Sequence, residues 1–584
     1  VCGIAGISYQ KGRTPTLETL NPLVGALAHR GPDGSGHFIH ERVGLIHTRL
    51  SIVDLNSGGQ PLFGEDGSVL VANGEIYNHL ELKESLGRYP YKTHSDSEVI
   101  LSCWRRYGTQ SLHYLRGMYA FALYQPQTQD LFLVRDPFGI KPLYYTHTND
   151  YLAFASEPMA LIKANLASQE LYPKAVNELL QLRFSTFENT PFLHIKRLLP
   201  GEILQVRAGE IVNRYRCEAL RPMHMGEVET DLIEDLDVVL SSSVQCHLRS
   251  DVPYGLFLSG GIDSSAMLAL MHRHHGPGLK TYSIGFPGTQ QHDERGLAAQ
   301  MAHSVEANHH DVDFTQDDFW SLLPQVVAAH DDPVIDFAAL PTFKLAQVAS
   351  EHVKVVISGE GGDEVFAGYR RYQRALRPKM LGGRLWRGKG VLDVVLDKGI
   401  TLNGWDDAIQ DTIQGLKKRK LTALQKAQYI DFQHWLPNDL LTKLDRCLMA
   451  HGVEGRTPFV DKEVAAFGFF LPDRHKAGWS HGKKLLRDWL AKYFPMSAPY
   501  AKKRGFNVPV GEWMTQSSGQ ISRWVGEQEP AQQLLSPEQC QSLFNRMEHD
   551  KKYVIPAWTI FYYALWHRTH IQGKPVGAQE ILGS

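Results

Sequence analysis

The stretch VPYGLFLSGGIDSSAMLALMHRH, residues 252–274, decides the fold. A compact apolar run ends at Leu258, a serine and two glycines follow, and a helical pattern opens at Ser264 and Ser265. The expected succession is buried strand, tight loop, helix. Ser259, Gly260 and Gly261 let backbone N–H groups face an anion, and the helix start adds its positive dipole end, so the loop reads as a phosphate cradle. It lacks the GxxxxGK(S/T) of a Walker loop. Asp263 stands in the turn instead, where a carboxylate suits a magnesium ion bridging phosphates.

The same grammar continues downstream. TYSIGF (281–286) and VKVVISG (353–359) alternate with helical segments such as LPTFKLAQVASEH (340–352), which predicts a parallel, doubly wound sheet. VVISGEGGDEVFAGY (355–369) repeats strand and glycine turn. It brings Glu360, Asp363 and Glu364 to the carboxyl edge of that sheet, where open α/β folds bind ligands. Acidic clusters are ordinarily just solvated; at the mouth of a phosphate loop they suit magnesium or a general base. Lys483, at a helix start in SHGKKLLRDWL (480–490), is placed to neutralise pyrophosphate oxygens, although alone it would read as a surface charge. From about Arg377 the pattern is mainly helical, and the basic LKKRK (416–420) reads as a solvated helix face.

Upstream, from Cys2 to about Tyr215, short apolar runs broken by Gly, Asn and Asp read as strands, with helical stretches such as SDSEVILSCWRRYG (95–108) between them. An α/β or α+β layered domain is expected there. EALRPMHMGEVE (218–229) has no periodicity and reads as a linker. At strand ends of this first half, Arg49 suits a carboxylate, and Glu75 and Asp96 suit an ammonium. Asn73 and the Gly74 N–H suit an oxyanion. Singly, each is an ordinary turn residue; with Cys2 they compose a nucleophile, an oxyanion pair and a clamp for a small zwitterion.

Size and composition bound the rest. The 584 residues are roughly three to five domains' worth of chain. With 43% apolar and 21% charged residues and a net charge of -2, there is no electrostatic footprint for nucleic acid or an anionic membrane. No apolar run approaches the roughly 18 residues of a membrane span, and no basic segment followed by an apolar stretch opens the chain, so a cytoplasmic location is expected. The six cysteines show no CxxC pair, which argues against a disulfide scaffold or a zinc site. Five of them are expected to be ordinary buried thiols.

Together these motifs are recognisable. CGIAG (2–6), HRGPD (29–33), RLSIVDL (49–55), NGEIYN (73–78) and GIKPLYY (139–145) resemble the class II glutamine amidotransferase domain, an N-terminal nucleophile αββα sandwich of two stacked antiparallel sheets between helices. SGGIDSS (259–265) resembles the pyrophosphate-binding loop of the ATP pyrophosphatases. With SGEGGDEVFAGY (358–369), VEGRTPFVD (453–461) and KRGFNVPVGEW (503–513), it resembles the synthetase domain of glutamine-hydrolysing asparagine synthetases. The resemblance covers nearly the whole chain in the family's order and implies a glutaminase domain at 2–215, a linker at 216–229 and a synthetase domain at 230–584.

The resemblance also implies a mechanism. Cys2 would attack the side-chain amide of glutamine with its own α-amine as base, since an α-amine titrates near pH 8 and is partly neutral in the cell. Asn73 and Gly74 would hold the oxyanion and, with Arg49, Glu75 and Asp96, bind the glutamine. Ammonia would cross to the second domain by an internal channel. There ATP would lie on Ser259, Gly260, Gly261, Asp263, Ser264 and Ser265, its adenine near Ser283, Ile284 and Gly285, with Ser358, Gly359 and Glu360 completing the site. Asp263 and Asp363 would hold Mg2+, Glu360 would take a proton from the attacking ammonia, and Lys483 would stabilise pyrophosphate. Aspartate is the family's commonest acceptor, and DDPVIDFAALPTFKLA (331–346) is expected to line its pocket. Related enzymes amidate carboxylates of sugars, peptides or natural-product intermediates instead.

Other classes fit less well. β-Lactam-forming relatives have lost the cysteine; a non-catalytic regulator would lack catalytic residues, and none is missing; a self-processing hydrolase has no use for SGGIDSS. Partners are expected to be small molecules only, without nucleic acid or membrane, and a homodimer is allowed. One expectation concerns processing: with Val1 attached, the Cys2 nitrogen is a non-basic amide, so Val1 is expected to be the literal reading of a GUG start codon, removed from the mature chain. Intact mass or N-terminal sequencing tests this.

Overall fold

In the computed structural model, which describes residues 2–10, 12–220, 231–290, 293–396, 402–478, 481–501 and 508–583, two sheets are built from the first 216 residues. Their strands are β1 (Gly3–Tyr9), β2 (Gly34–His40), β3 (Val43–Arg49), β4 (Leu62–Phe63), β5 (Val69–Ile76) and β6 (Gly117–Gln125). They continue with β7 (Asp130–Arg135), β8 (Tyr144–His147), β9 (Tyr151–Ala155), β10 (Lys196–Arg197), β11 (Glu202–Arg207) and β12 (Glu210–Arg216). Pairing is antiparallel throughout, in the orders β10-β8-β9-β1-β3-β2 and β12-β11-β7-β6-β5-β4.

Strand periodicity explains the layering. Ile4, Leu45 and Phe154 of one sheet meet Val71, Ala120 and Leu133 of the other. Their alternate neighbours Ala5, Ile7 and Ile46 lie under helix Leu17–Leu27, and Leu70, Phe121 and Val134 lie under helix Val99–Tyr107. Both faces of each sheet are therefore apolar, and the result is an αββα sandwich. Each buried Val, Leu, Ile or Phe contributes about 1.5–3 kcal/mol. A one-residue slip exchanges the two sets of side chains between differently shaped layers, which fixes the register of β1.

The second half centres on β13 (Tyr254–Phe257), β14 (Lys280–Gly285), β15 (Asn308–Asp313), β16 (Val355–Ile357) and β17 (Glu454–Arg456). All pair in parallel, in the order β15-β14-β13-β16-β17. Helices Leu232–His247 and Ile262–His275 cover Leu256, Val355 and Ile357 on one face; Gln316–Ala329 and Ala339–Ser350 cover Tyr282, Ile284 and Val356 on the other. The strand order reverses between β13 and β16, so the loops after these two strands leave the sheet side by side at its switch point, where such folds form their ligand crevice.

Strand β17 has no apolar signal in the sequence. Glu454 and Arg456 are buried in it and pair with each other at 2.5 Å, so charge neutralisation replaces hydrophobicity. LKKRK forms a short 3-10 turn and loop after helix Asp407–Gly415, its four cations exposed. All six cysteines are buried, and none forms a disulfide among the described residues. Among the described residues no helix is long and apolar enough to cross a membrane. Val1, the linker residues 221–229 and residues 503–507 of KRGFNVPVGEW lie outside the described residues.

Candidate active sites

Cys2 stands at the start of β1, between β3 of its own sheet and β5 of the facing one. Its N–H donates to Asn73 Oδ1 at 3.0 Å, its thiol to the Leu50 carbonyl at 3.8 Å, and Arg30 Nε donates to the Cys2 carbonyl at 3.2 Å. Burial pushes the thiol above its ordinary value, so attack on an amide needs a base to take its proton. Asn73 is fully buried, and its Nδ2 has no acceptor among the described residues. An unmet buried donor costs about 1–3 kcal/mol; beside a cysteine it is a ready oxyanion donor. The adjacent Gly74 has φ +145°, and a Cβ there would lie 2.0 Å from the Met118 carbonyl oxygen, so only glycine lets the strand pass.

Glu75 and Asp96 are buried close to one another, Glu75 directly after Gly74. Burial, reinforced by the neighbouring carboxylates Asp96 and Glu454 and opposed by Arg456, lifts Glu75 well above the usual carboxylate range. Asp96 is raised by burial too, while its Oδ2 accepts the Ile76 N–H at 2.5 Å. Two buried carboxylates in one pocket favour a cationic ligand group. Arg49, half-buried at the end of β3, donates to the Asp54 carbonyl and to that of Leu55 at 3.5 Å. The structure thus gathers the residues proposed to handle glutamine. It adds two that the sequence reading did not assign: Arg30, and Arg456 of the second half, whose Nη2 is 3.5 Å from Glu75 Oε2.

At the switch point, Gly261 caps helix Ile262–His275. Ser264 Oγ donates to the Gly261 carbonyl at 3.0 Å and accepts the Ser259 N–H at 3.2 Å, and Ser265 Oγ donates to the same carbonyl at 2.8 Å. Gly260 has φ +70°, the left-handed region that the turn requires. Lys483, buried at the start of helix Lys484–Tyr493, donates to the Asp263 carboxylate and lies 2.6 Å from Asp363 Oδ1. Three residues singled out from three separate segments thus meet around one ammonium. A Cβ on Gly362 would fall 2.4 Å from Asp263 Oδ1, and one on Gly368 would fall 1.8 Å from Asp363 Oδ1. The glycines admit both carboxylates, a pair of hard oxygen donors that, with phosphate oxygens, suits magnesium.

Glu360 borders this cluster. Its carboxylate is 3.8 Å from Lys443 Nζ, which also holds Asp336 Oδ2 at 2.9 Å. Burial raises Glu360, with Asp336, Asp363 and Asp263 adding to the effect and Lys443 opposing it. Asp336 comes from the stretch expected to line the acceptor pocket, whereas Lys443 sits in helix Leu441–Met449 with no turn or glycine nearby to single it out. Ser283 is buried and donates to the Leu258 carbonyl; with Ile284 and Gly285 it ends β14 beside the loop. The Ser358 N–H donates to the Arg456 carbonyl at 2.8 Å, tying the second loop to β17.

An N-terminal nucleophile sandwich followed by a parallel sheet with a serine-glycine loop at its switch point is the architecture of a glutamine-hydrolysing carbon-nitrogen ligase. Residues 235–568 match the asparagine synthase family and residues 1–216 match the glutamine amidotransferase domain. The chain belongs to the asparagine synthase family. It is 32% identical to the glutamine-hydrolyzing asparagine synthetase 1 of Bacillus subtilis over 98% of both chains. It is 30% identical to asparagine synthetase B of Escherichia coli, over 86% of this chain and 81% of that one. It is also 25% identical to the amidase chyE of Penicillium rubens over 93% of each.

Proposed function

We propose that this chain makes asparagine from aspartate, glutamine and ATP. The observation that carries the reading is the presence, in one chain, of Cys2 in hydrogen-bond contact with Asn73 and of Lys483 between Asp263 and Asp363. Likeness to asparagine synthetases over almost the full length supports aspartate as acceptor.

Cys2 attacks the glutamine side-chain amide, and its α-amine, once free, takes the thiol proton and returns it to the leaving ammonia. Asn73 Nδ2 and the Gly74 N–H receive the oxyanion, while Arg49, Glu75 and Asp96 hold the glutamine's own carboxylate and ammonium. Water then releases glutamate. In the second half, the phosphates lie over residues 259–265, with Ser283, Ile284 and Gly285 beside the base and Ser358 and Gly359 across the crevice. Asp263 and Asp363 would hold a magnesium ion, which would supply charge neutralisation on the phosphates. The aspartate β-carboxylate displaces pyrophosphate from the α-phosphorus, and Lys483 neutralises the departing charge. Ammonia attacks the acyl adenylate, Glu360 takes its proton, and AMP leaves. The raised affinity of Glu360 for protons suits that role.

A second reading keeps the chemistry and changes the acceptor to another carboxylate; the 25% likeness to an amidase over 93% of the chain favours it. Incubation with glutamine, magnesium-ATP and aspartate tests the choice. Asparagine, glutamate, AMP and pyrophosphate in equal amounts support the proposal, and their absence with aspartate contradicts it.

A further inference from the structure

Arg456 belongs to the second half by sequence and to the Cys2 pocket by position. It ends β17 and is fully buried. Its guanidinium is fixed from within the second half: Nε donates to Glu454 Oε1 at 2.5 Å, and Nη1 donates to the His247 and Arg249 carbonyls at 2.6 and 2.7 Å. Its own carbonyl accepts the Ser358 N–H at 2.8 Å. The remaining nitrogen, Nη2, is buried without a hydrogen-bond partner among the described residues. It lies 3.5 Å from Glu75 Oε2 of the first half, and the guanidinium carbon is 5.5 Å from the centre of the Tyr77 ring.

The charges around Glu75 show what that nitrogen can do. Burial, Asp96 and Glu454 disfavour the ionised form of Glu75; Arg456 and the chain's N-terminal amine favour it. His79 acts on Asp96, and the same amine, Arg456 and Lys141 hold Glu454 down to about 2. A carboxylate receives an ammonium well only when it is ionised. Arg456 is the side chain that favours this form, and it is held too firmly to turn away.

We infer that Arg456 is a positioning residue for glutamine: from the second half, its Nη2 orients Glu75 and keeps it able to receive the α-ammonium. This rests on the proposed glutaminase reading and goes beyond it, because it makes glutamine capture depend on the synthetase sheet.

The test uses the full chain and reads glutamate release. Glutaramate, which lacks only the α-ammonium of glutamine, serves as a competitor. Arg456→Gln is expected to raise the glutamine KM at least ten-fold while changing kcat and the glutaramate inhibition constant less than three-fold. A merely structural role would weaken both ligands alike. Removing the cation also raises the proton affinity of Glu75, so the glutamine KM of this variant should climb more steeply from pH 8.5 to 6.5 than that of the wild type. Arg456→Lys, which keeps the charge, is expected to lose about three-fold in glutamine KM. Thermal midpoints check folding, and if Arg456→Gln does not fold, Arg456→Lys decides. An unchanged glutamine KM in a folded variant, or an equal loss for glutamine and glutaramate, overturns the inference. Glutamate release by the wild-type chain with either of those results leaves the glutaminase reading standing. A wild-type chain that releases none contradicts both.

Discussion

The proposed glutaminase chemistry rests on three neighbouring residues, each constrained differently. Cys2 supplies the thiol, Asn73 an unmet amide donor, and Gly74 a backbone path that no side chain tolerates. Cys2→Ala is expected to abolish glutamine-dependent amide formation while ammonia-dependent formation persists, read by product formation with each nitrogen source. Asn73→Ala is expected to lower glutaminase kcat by about 10²–10³, the usual cost of one oxyanion donor, measured as glutamate release. These residues were legible in the sequence because Cys, Asn-Gly and paired acids stand out at strand ends. Lys443 was not: a lysine within a helical segment reads as solvent-facing, and only the folded chain reveals that it holds Asp336 and faces Glu360.

At the scale of elements, two loops work only because they leave the sheet together. Gly362 lets the second loop close on Asp263 of the first. Gly362→Ala forces these apart and is expected to reduce ATP-dependent pyrophosphate release at least ten-fold while glutaminase activity continues, which parallel assays of the two half-reactions would show. The parallel sheet was legible from its apolar strands and glycine turns, β13, β14 and β16 above all. Strand β17 was not, because its buried residues are a Glu–Arg pair rather than valines. Glu364, in the same second loop, carries a pH signature. Burial and Asp363 lift it from its ordinary 4.5 to about 8. Between these values the folded chain holds a proton that the unfolded chain has lost, so its contribution to stability is complete below 4.5 and gone by about pH 8. Glu364→Gln should therefore show a smaller fall in thermal midpoint from pH 6 to pH 8 than the parent chain.

Across the whole molecule, the two halves are joined by a buried ionic cluster. Arg30 donates to both oxygens of Asp445, at 2.8 and 3.1 Å, and to Glu157 at 2.8 Å; Arg446 reaches Glu157 at 3.0 Å and Asp331 at 2.9 Å. Because Arg30 also holds the Cys2 carbonyl, the nucleophile's strand is anchored to the synthetase half. Asp445→Ala strands Arg30 partly unpaired and is expected to cost about 3–5 kcal/mol. The same change should raise the glutamate formed per amide product above one, as the two reactions lose their common frame. Nothing in the sequence pointed to this seam, since its partners lie hundreds of residues apart. On the proposed function, one chain moves nitrogen from glutamine to aspartate at the expense of ATP. Glutamine labelled with 15N in its side-chain amide, supplied with magnesium-ATP and aspartate, tests it most directly. Label is expected in the amide of asparagine with one AMP per product; labelled ammonium without labelled asparagine would contradict the proposed function.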